Sequence, residues 1–181
     1  MKKIALLIFF FCGIIKSYAQ DYDTINRRAN YFETFLPVSV LIDSIVVYKS
    51  KREMIVFHQK AKIKKYIISL GYEPVGKKQF EGDMKTPEGL YFINDRTRVS
   101  SYYANLGISY PNEADSTYAA QFEKSAGGEI KIHGFPNIHN KADEKEYLNS
   151  DWTMGCIAVS NFELDELYSW IKLNCPILIL P

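Results

Sequence analysis

From residue 45 onward the apolar positions recur mostly every second residue, and only near the C-terminus does a helical period take over. Residues 45–48 and 54–58 flank a polar turn at 49–53 and predict a hairpin. Residues 61–70 continue the pattern with Ile63, Ile67 and Ile68 set among lysines, which reads as a solvated strand face rather than a binding patch. Breakers crowd 71–89 (Gly71, Pro74, Gly76, Gly82, Pro87 and Gly89) and predict a loop. Residues 90–93, 106–110 and 129–133 predict further short strands, with a polar, aromatic connection over 94–105 and a helix-compatible stretch over 114–124. Leu164, Leu167, Tyr168 and Ile171 lie at i, i+3, i+4 and i+7, behind a capping-box pair formed by Ser160 and Glu163. Asn174 is the expected stop, and 176–180 reads as a final buried strand. Many short strands and few long helices predict an α+β, β-rich single domain, built as a sandwich or barrel-like sheet.

The N-terminus follows another pattern. Lys2 and Lys3 precede an apolar run over 4–15, and Ser17-Tyr18-Ala19 places small residues ahead of Gln20. That arrangement predicts a signal peptide over 1–19, with a core too short for the roughly 20 residues of a membrane span. No stable membrane span is then expected after cleavage, and the product is exported to the periplasm or cell envelope. Residues 20–44, with a helical pattern over 21–35 ended by Leu36-Pro37, read as an N-terminal extension to a domain at 45–181. Lys and Arg number 22 against 21 Asp and Glu, too even a balance for a nucleic-acid partner. Of three cysteines, one lies in the leader, leaving Cys156 and Cys175. So few thiols do not make a disulfide framework, so one is available for chemistry, although the sequence leaves a Cys156–Cys175 bridge open.

Cys156 follows Gly155 at the start of a short apolar strand. In residues 129–133 the isoleucines share one side and Lys131 and His133 the other, so His133 is expected to face a cleft where the strand ends at Gly134. A free thiol, with a pKa of about 8.5, is mostly protonated at neutral pH, and a neighbouring imidazole can take its proton and later protonate a leaving amine. Gly155 lets the backbone approach a substrate closely, and the amides of Gly155 and Cys156 are candidate donors to an oxyanion. On pattern alone, a Gly-Cys pair also fits a buried structural cysteine.

His133-Gly134 followed by Thr153-Met154-Gly155-Cys156 resembles the signature of L,D-transpeptidase catalytic domains, the YkuD family: a His-Gly, then Ser/Thr, a variable residue and Gly-Cys. The surrounding residues 128–137 and 151–161, with 82–89 and 108–112, are similar to its YafK-like branch. The resemblance implies an L,D-transpeptidase-like β-sandwich with a few flanking helices, acting on peptidoglycan stem peptides. The family chemistry is attack of a cysteine on the carbonyl of the third stem residue, loss of D-alanine, and resolution of a thioester by an amine. Carried over by motif position, Cys156 is the nucleophile and His133 the base and acid. Gly134, Trp152, Thr153 and Tyr110 are substrate-binding candidates, and no metal or cofactor is needed. Two positions depart from the family: Met154 replaces a frequent histidine, and Ala158 stands where an arginine or asparagine is common. The second departure leaves open hydrolysis of a stem-peptide or peptidoglycan–protein link, with a wall-linked protein as a further partner. The rival readings are a zinc site at His133, His139 and Asp143, whose spacing fits no compact helical motif, and a non-catalytic wall-binding module using tyrosines such as Tyr102, Tyr103 and Tyr118.

Overall fold

Alternating apolar residues fold here into strands wherever one face has a core to cover. The computed structural model describes residues 41–138 and 140–181, so the leader, the helix expected at 21–35 and His139 lie outside the described residues. Within them the chain runs through β1 (Ser44–Tyr48), β2 (Glu53–His58), β3 (Ala61–Ile67), β4 (Gly89–Ser100), β5 (Tyr103–Ile108), α1 (Glu113–Ala120), β6 (Lys131–His133), α2 (Glu144–Asn149), β7 (Ile157–Ala158), α3 (Asn161–Trp170) and β8 (Pro176–Leu180). No helix among the described residues is long and apolar enough to cross a membrane.

The strands form one mixed sheet in the order β3-β2-β1-β8-β4-β5-β6-β7, as the expected α+β, β-rich class requires. The predicted hairpin of β1 and β2 is present, and β2 turns into β3 through Gln59 and Lys60, both at positive φ. The last strand, β8, inserts in the middle of the sheet, parallel to β1 and antiparallel to β4. β4 joins the two halves: Gly89 to Phe92 pair with β8, and residues from Ile93 to Ser100 pair with β5 through two register shifts. Beyond β3 the chain reaches the other end of the sheet. Ser69 N–H donates to Ala158 O at 2.9 Å, and Ala158 N–H donates back to Ser69 O at 2.8 Å. The sheet therefore curls until its two ends meet beside β7.

Ile45, Val47, Met54, Val56, Leu106, Ile132, Ile157, Ile177 and Ile179 fill the core together with Leu164 and Leu167 of α3. The predicted cap of α3 is realised: Ser160 Oγ accepts from Glu163 N–H, and the Glu163 carboxylate accepts from Ser160 N–H. The helix ends at Trp170, earlier than Asn174, because Ile171 turns extended and is buried.

Four expectations need correction. Residues 94–100 continue β4 by pairing with β5, and their largely solvated side chains carry no apolar alternation to mark the strand. Lys64 is not on a solvated face: its ammonium is paired with the buried Glu166 carboxylate at 2.5 Å, and Glu166 also accepts from Tyr66 Oη at 3.0 Å. Lys49, at the edge of the polar turn, is 2 % exposed, with its Nζ donating to Gly76 O, Thr86 O and Glu88 Oε1. Tyr110 belongs to the core, where its hydroxyl donates to Ala126 O at 2.8 Å and its ring packs edge-on against Tyr91. It does not line the cleft described below.

Candidate active site

The cysteine turn is fixed from three sides before its chemistry begins. Asp151 holds its entry: Arg52 grips the carboxylate through Nε and Nη2, and Leu70 N–H donates to Asp151 Oδ1 at 2.9 Å. Thr153 clamps its interior. Its hydroxyl donates to Cys156 O at 2.7 Å and accepts from Gly155 N–H at 3.1 Å. Gly155 itself has φ +128°, and a Cβ there would lie 2.6 Å from Lys85 O, so the turn admits only glycine. Beyond Cys156 the chain enters β7, whose Ile157 is fully buried and pairs with Ile132 of β6.

Cys156 Sγ thus rests against the edge of β6, where the thiol donates to Glu129 O at 3.5 Å and receives the Lys131 N–H. Burial pushes the thiol pKa above its ordinary value, against the pull of that N–H and of the Lys131 charge. Cys156 and Cys175 are both free thiols and are not bridged to each other.

His133 stands at the end of β6, on the face opposite Ile132. It is 5 % exposed rather than open to solvent, because Tyr102 and Trp152 cover its ring at 4.7 and 5.4 Å between centroids. Nδ1 lies 2.7 Å from Gly134 O. A carbonyl can only accept, so Nδ1 carries the proton and Nε2 of the neutral ring presents a lone pair. Burial lowers the imidazole pKa to about 4; the Gly134 hydrogen bond opposes this and the Lys131 charge adds to it. At pH 7 the site therefore holds a neutral thiol and a neutral imidazole.

Both groups line one cleft of about 410 Å³, with Asn105, Lys131, Trp152, Thr153, Met154 and the β4–β5 hairpin tip around Tyr102 completing its walls. Of the residues singled out in the sequence, Cys156, His133, Trp152 and Thr153 meet here. Trp152 is held by a hydrogen bond from its indole N–H to Tyr147 O. Gly134 does not line the cleft; it sits beneath it, where a Cβ would meet Asn161 Oδ1 at 2.3 Å, and its carbonyl orients His133. The Gly155 amide is engaged by Thr153 and is not free for an oxyanion, which leaves the Cys156 amide of the expected pair. Tyr102, one of the tyrosines offered by the sequence as a groove residue, lines this cleft, while Asn105 has no signal because it lies in the stretch with no strand pattern. Among the described residues, no group of three His, Cys, Asp or Glu side chains could hold a metal ion.

The family model for the L,D-transpeptidase catalytic domain (YkuD) matches residues 42–179. The chain belongs to this family. It is 28% identical over 99 residues to YafK of Escherichia coli (strain K12), a protein assigned to the L,D-transpeptidases, covering 54% of this chain and 32% of that protein. The chain therefore spans about a third of the length of this curated relative. Among solved structures, it is similar to the helical cell shape determining protein Pgp2 of Campylobacter jejuni (25% identity, TM-score 0.59, 78% of this chain and 48% of the other). It is also similar to Bd1075 of Bdellovibrio bacteriovorus (28% identity, TM-score 0.53, 81% and 54%). The matched residues 42–179 include both Cys156 and His133.

Proposed function

We propose that this protein is a cysteine-dependent L,D-transpeptidase that works through a thioester acyl-enzyme on peptidoglycan stem peptides, as an exported protein of the cell envelope. The observation that carries this is the neutral Cys156–His133 pair lining one cleft, with the Nδ1 proton held by Gly134 O so that Nε2 is the basic atom. As Sγ attacks a stem-peptide carbonyl, its proton passes to Nε2; the C–N bond breaks and the same proton goes to the departing amine. The Cys156 N–H stabilises the oxyanion in that step. An amine from a second stem then gives its proton to His133 and takes the acyl group; the C–S bond breaks and the proton on Nε2 returns to the departing thiolate. Trp152 and Tyr102 shield the imidazole from water through both halves.

A hydrolytic outcome, on a stem-peptide or peptidoglycan–protein link, is the second reading. It is favoured by Ala158, which is buried against His133 in the β6–β7 pair and offers no polar group to a substrate. Intact-mass measurement after incubation with purified muropeptides tests the nucleophile: an acyl adduct is expected on the wild-type protein and none on Cys156→Ala. Equal turnover by the two proteins would exclude the thioester route. In the same incubation, cross-linked dimers mean transfer, and shortened stems alone mean hydrolysis.

A further inference from the structure

Across the floor of the cleft, facing residues of neighbouring strands form a row. Thr97 of β4 is opposite Asn105 of β5, and Asn105 is opposite His133 of β6. The next strand, β7, pairs with β6 so that Cys156 comes alongside Lys131, diagonal to His133. Neighbouring strands are about 4.8 Å apart, so His133 stands between the sulfur and Asn105. Asn105 is 5 % exposed and lines the cleft, yet its Oδ1 has no hydrogen-bond partner among the described residues. Its backbone is satisfied in the sheet, so fold alone does not call for an amide side chain there. A buried carbonyl oxygen left without a donor is a cost that folding normally avoids. Leucine, of similar size, would avoid it.

We propose that Asn105 Oδ1 accepts an N–H from the amine half of the substrate, as a specificity-determining residue of the acyl-enzyme chemistry inferred above, on which this assignment rests. The acyl carbon must sit at Sγ and the scissile nitrogen at His133. The amine half of the peptide then lies over the next residue in the row. During acylation the nitrogen keeps its own hydrogen while the C–N bond breaks and a proton arrives from Nε2. Holding that hydrogen on Oδ1 turns the nitrogen lone pair toward His133. In the second half-reaction the incoming neutral amine carries two hydrogens: one leaves to Nε2, and the other is held by Asn105. Water attacking the thioester brings no substituent that the row must align, so hydrolysis depends less on this contact.

The discriminating variant is Asn105→Leu in the full chain. It is expected to unfold at the same or a slightly higher temperature, because the unpaired oxygen is gone. Acylation by an amide stem peptide should slow by about 10- to 100-fold, and the ratio of amine transfer to hydrolysis should fall. A stem analogue with an ester in place of the scissile amide has no such N–H, and its acylation rate should change less than about threefold. Alkylation of Cys156 by iodoacetamide, and its pH profile, should stay unchanged. Equal slowing on amide and ester, an altered alkylation profile, or an unchanged amide rate would each overturn the role of Asn105 while leaving the acyl-enzyme standing. Failure of the wild-type protein to form any acyl adduct would remove both.

Discussion

The sheet contains two parallel strand pairs, β1 with β8 and β6 with β7, and a cysteine stands just before the second strand of each. Each cysteine is also preceded by a residue at positive φ, Asn174 at 66° and Gly155 at 128°. The two sites nevertheless have opposite characters. Cys175 points into the core, its thiol on Pro176 O, and burial pushes its pKa up to about 12. Cys156 lies at the rim of a cleft, between a carbonyl and an N–H of β6, with an imidazole on the same floor. The same local strand geometry thus gives a core thiol in one place and a cleft-lining thiol in the other. From Ile45 to Val47, β1 pairs apolar residues with β8, whereas β6 sets His133 opposite Ala158 of β7.

The largest effect that would break this contrast is chemical. In the folded protein iodoacetamide should modify Cys156 and leave Cys175 untouched, and Cys156→Ala should lower turnover by more than about 1,000-fold. Modification of both thiols at equal rates, read by peptide mapping, would erase the distinction. Next comes the turn before each cysteine. Asn174→Gly should be nearly neutral, since that residue is exposed and glycine reaches its φ freely. Gly155→Asn should cost roughly 2–4 kcal/mol in urea unfolding and abolish activity, because any Cβ meets Lys85 O. Similar midpoints for these two variants would show that the cysteine turn is less constrained than its geometry states.

A smaller effect comes from pH. His133 is neutral in the fold down to about pH 4, whereas the unfolded ring takes a proton near 6.5. The unfolded state binds more protons in that window, so stability is full above 6.5 and falls as pH drops toward 4, by about 3 kcal/mol in all. His133→Gln should lack this part of the acid sensitivity when the two proteins are unfolded in urea at pH 7 and 4.5. The smallest change expected is in Tyr110→Phe, which should lose about 1 kcal/mol of stability from the Ala126 hydrogen bond and keep its turnover. A large rise in KM there would return Tyr110 to the substrate.

What could be read from the sequence was what is local. The box of Ser160 and Glu163, the strand at β8 and the alternation that sets His133 opposite Ile132 all depend on neighbours within a few residues, and all are present. The pairing of His133 with Cys156 needed the family resemblance, because they lie 23 positions apart and the parallel β6–β7 contact brings them together. Lys49 looked like turn polarity since its partners, Gly76, Thr86 and Glu88, lie in the breaker-rich loop. Asp151 was read as part of the cysteine motif, while its anchoring role depends on Arg52, at the far end of the domain sequence. Asn105 gave no signal at all: one amide at the end of a polar, aromatic run becomes a cleft residue only when β4 is long enough to place it opposite His133.

The two hydrogen bonds between Ser69 and Ala158 have a consequence for how a peptide is held. A two-residue strand at the end of a sheet would ordinarily leave N–H and C=O groups free to capture another chain by strand addition. β7 has β6 on one side and Ser69 on the other, so its backbone has nothing to offer at Ala158. A peptide therefore cannot be zipped onto β7 at Ala158 as an extra β-strand. The open approach to Cys156 is then the cleft it shares with His133, Asn105 and Trp152.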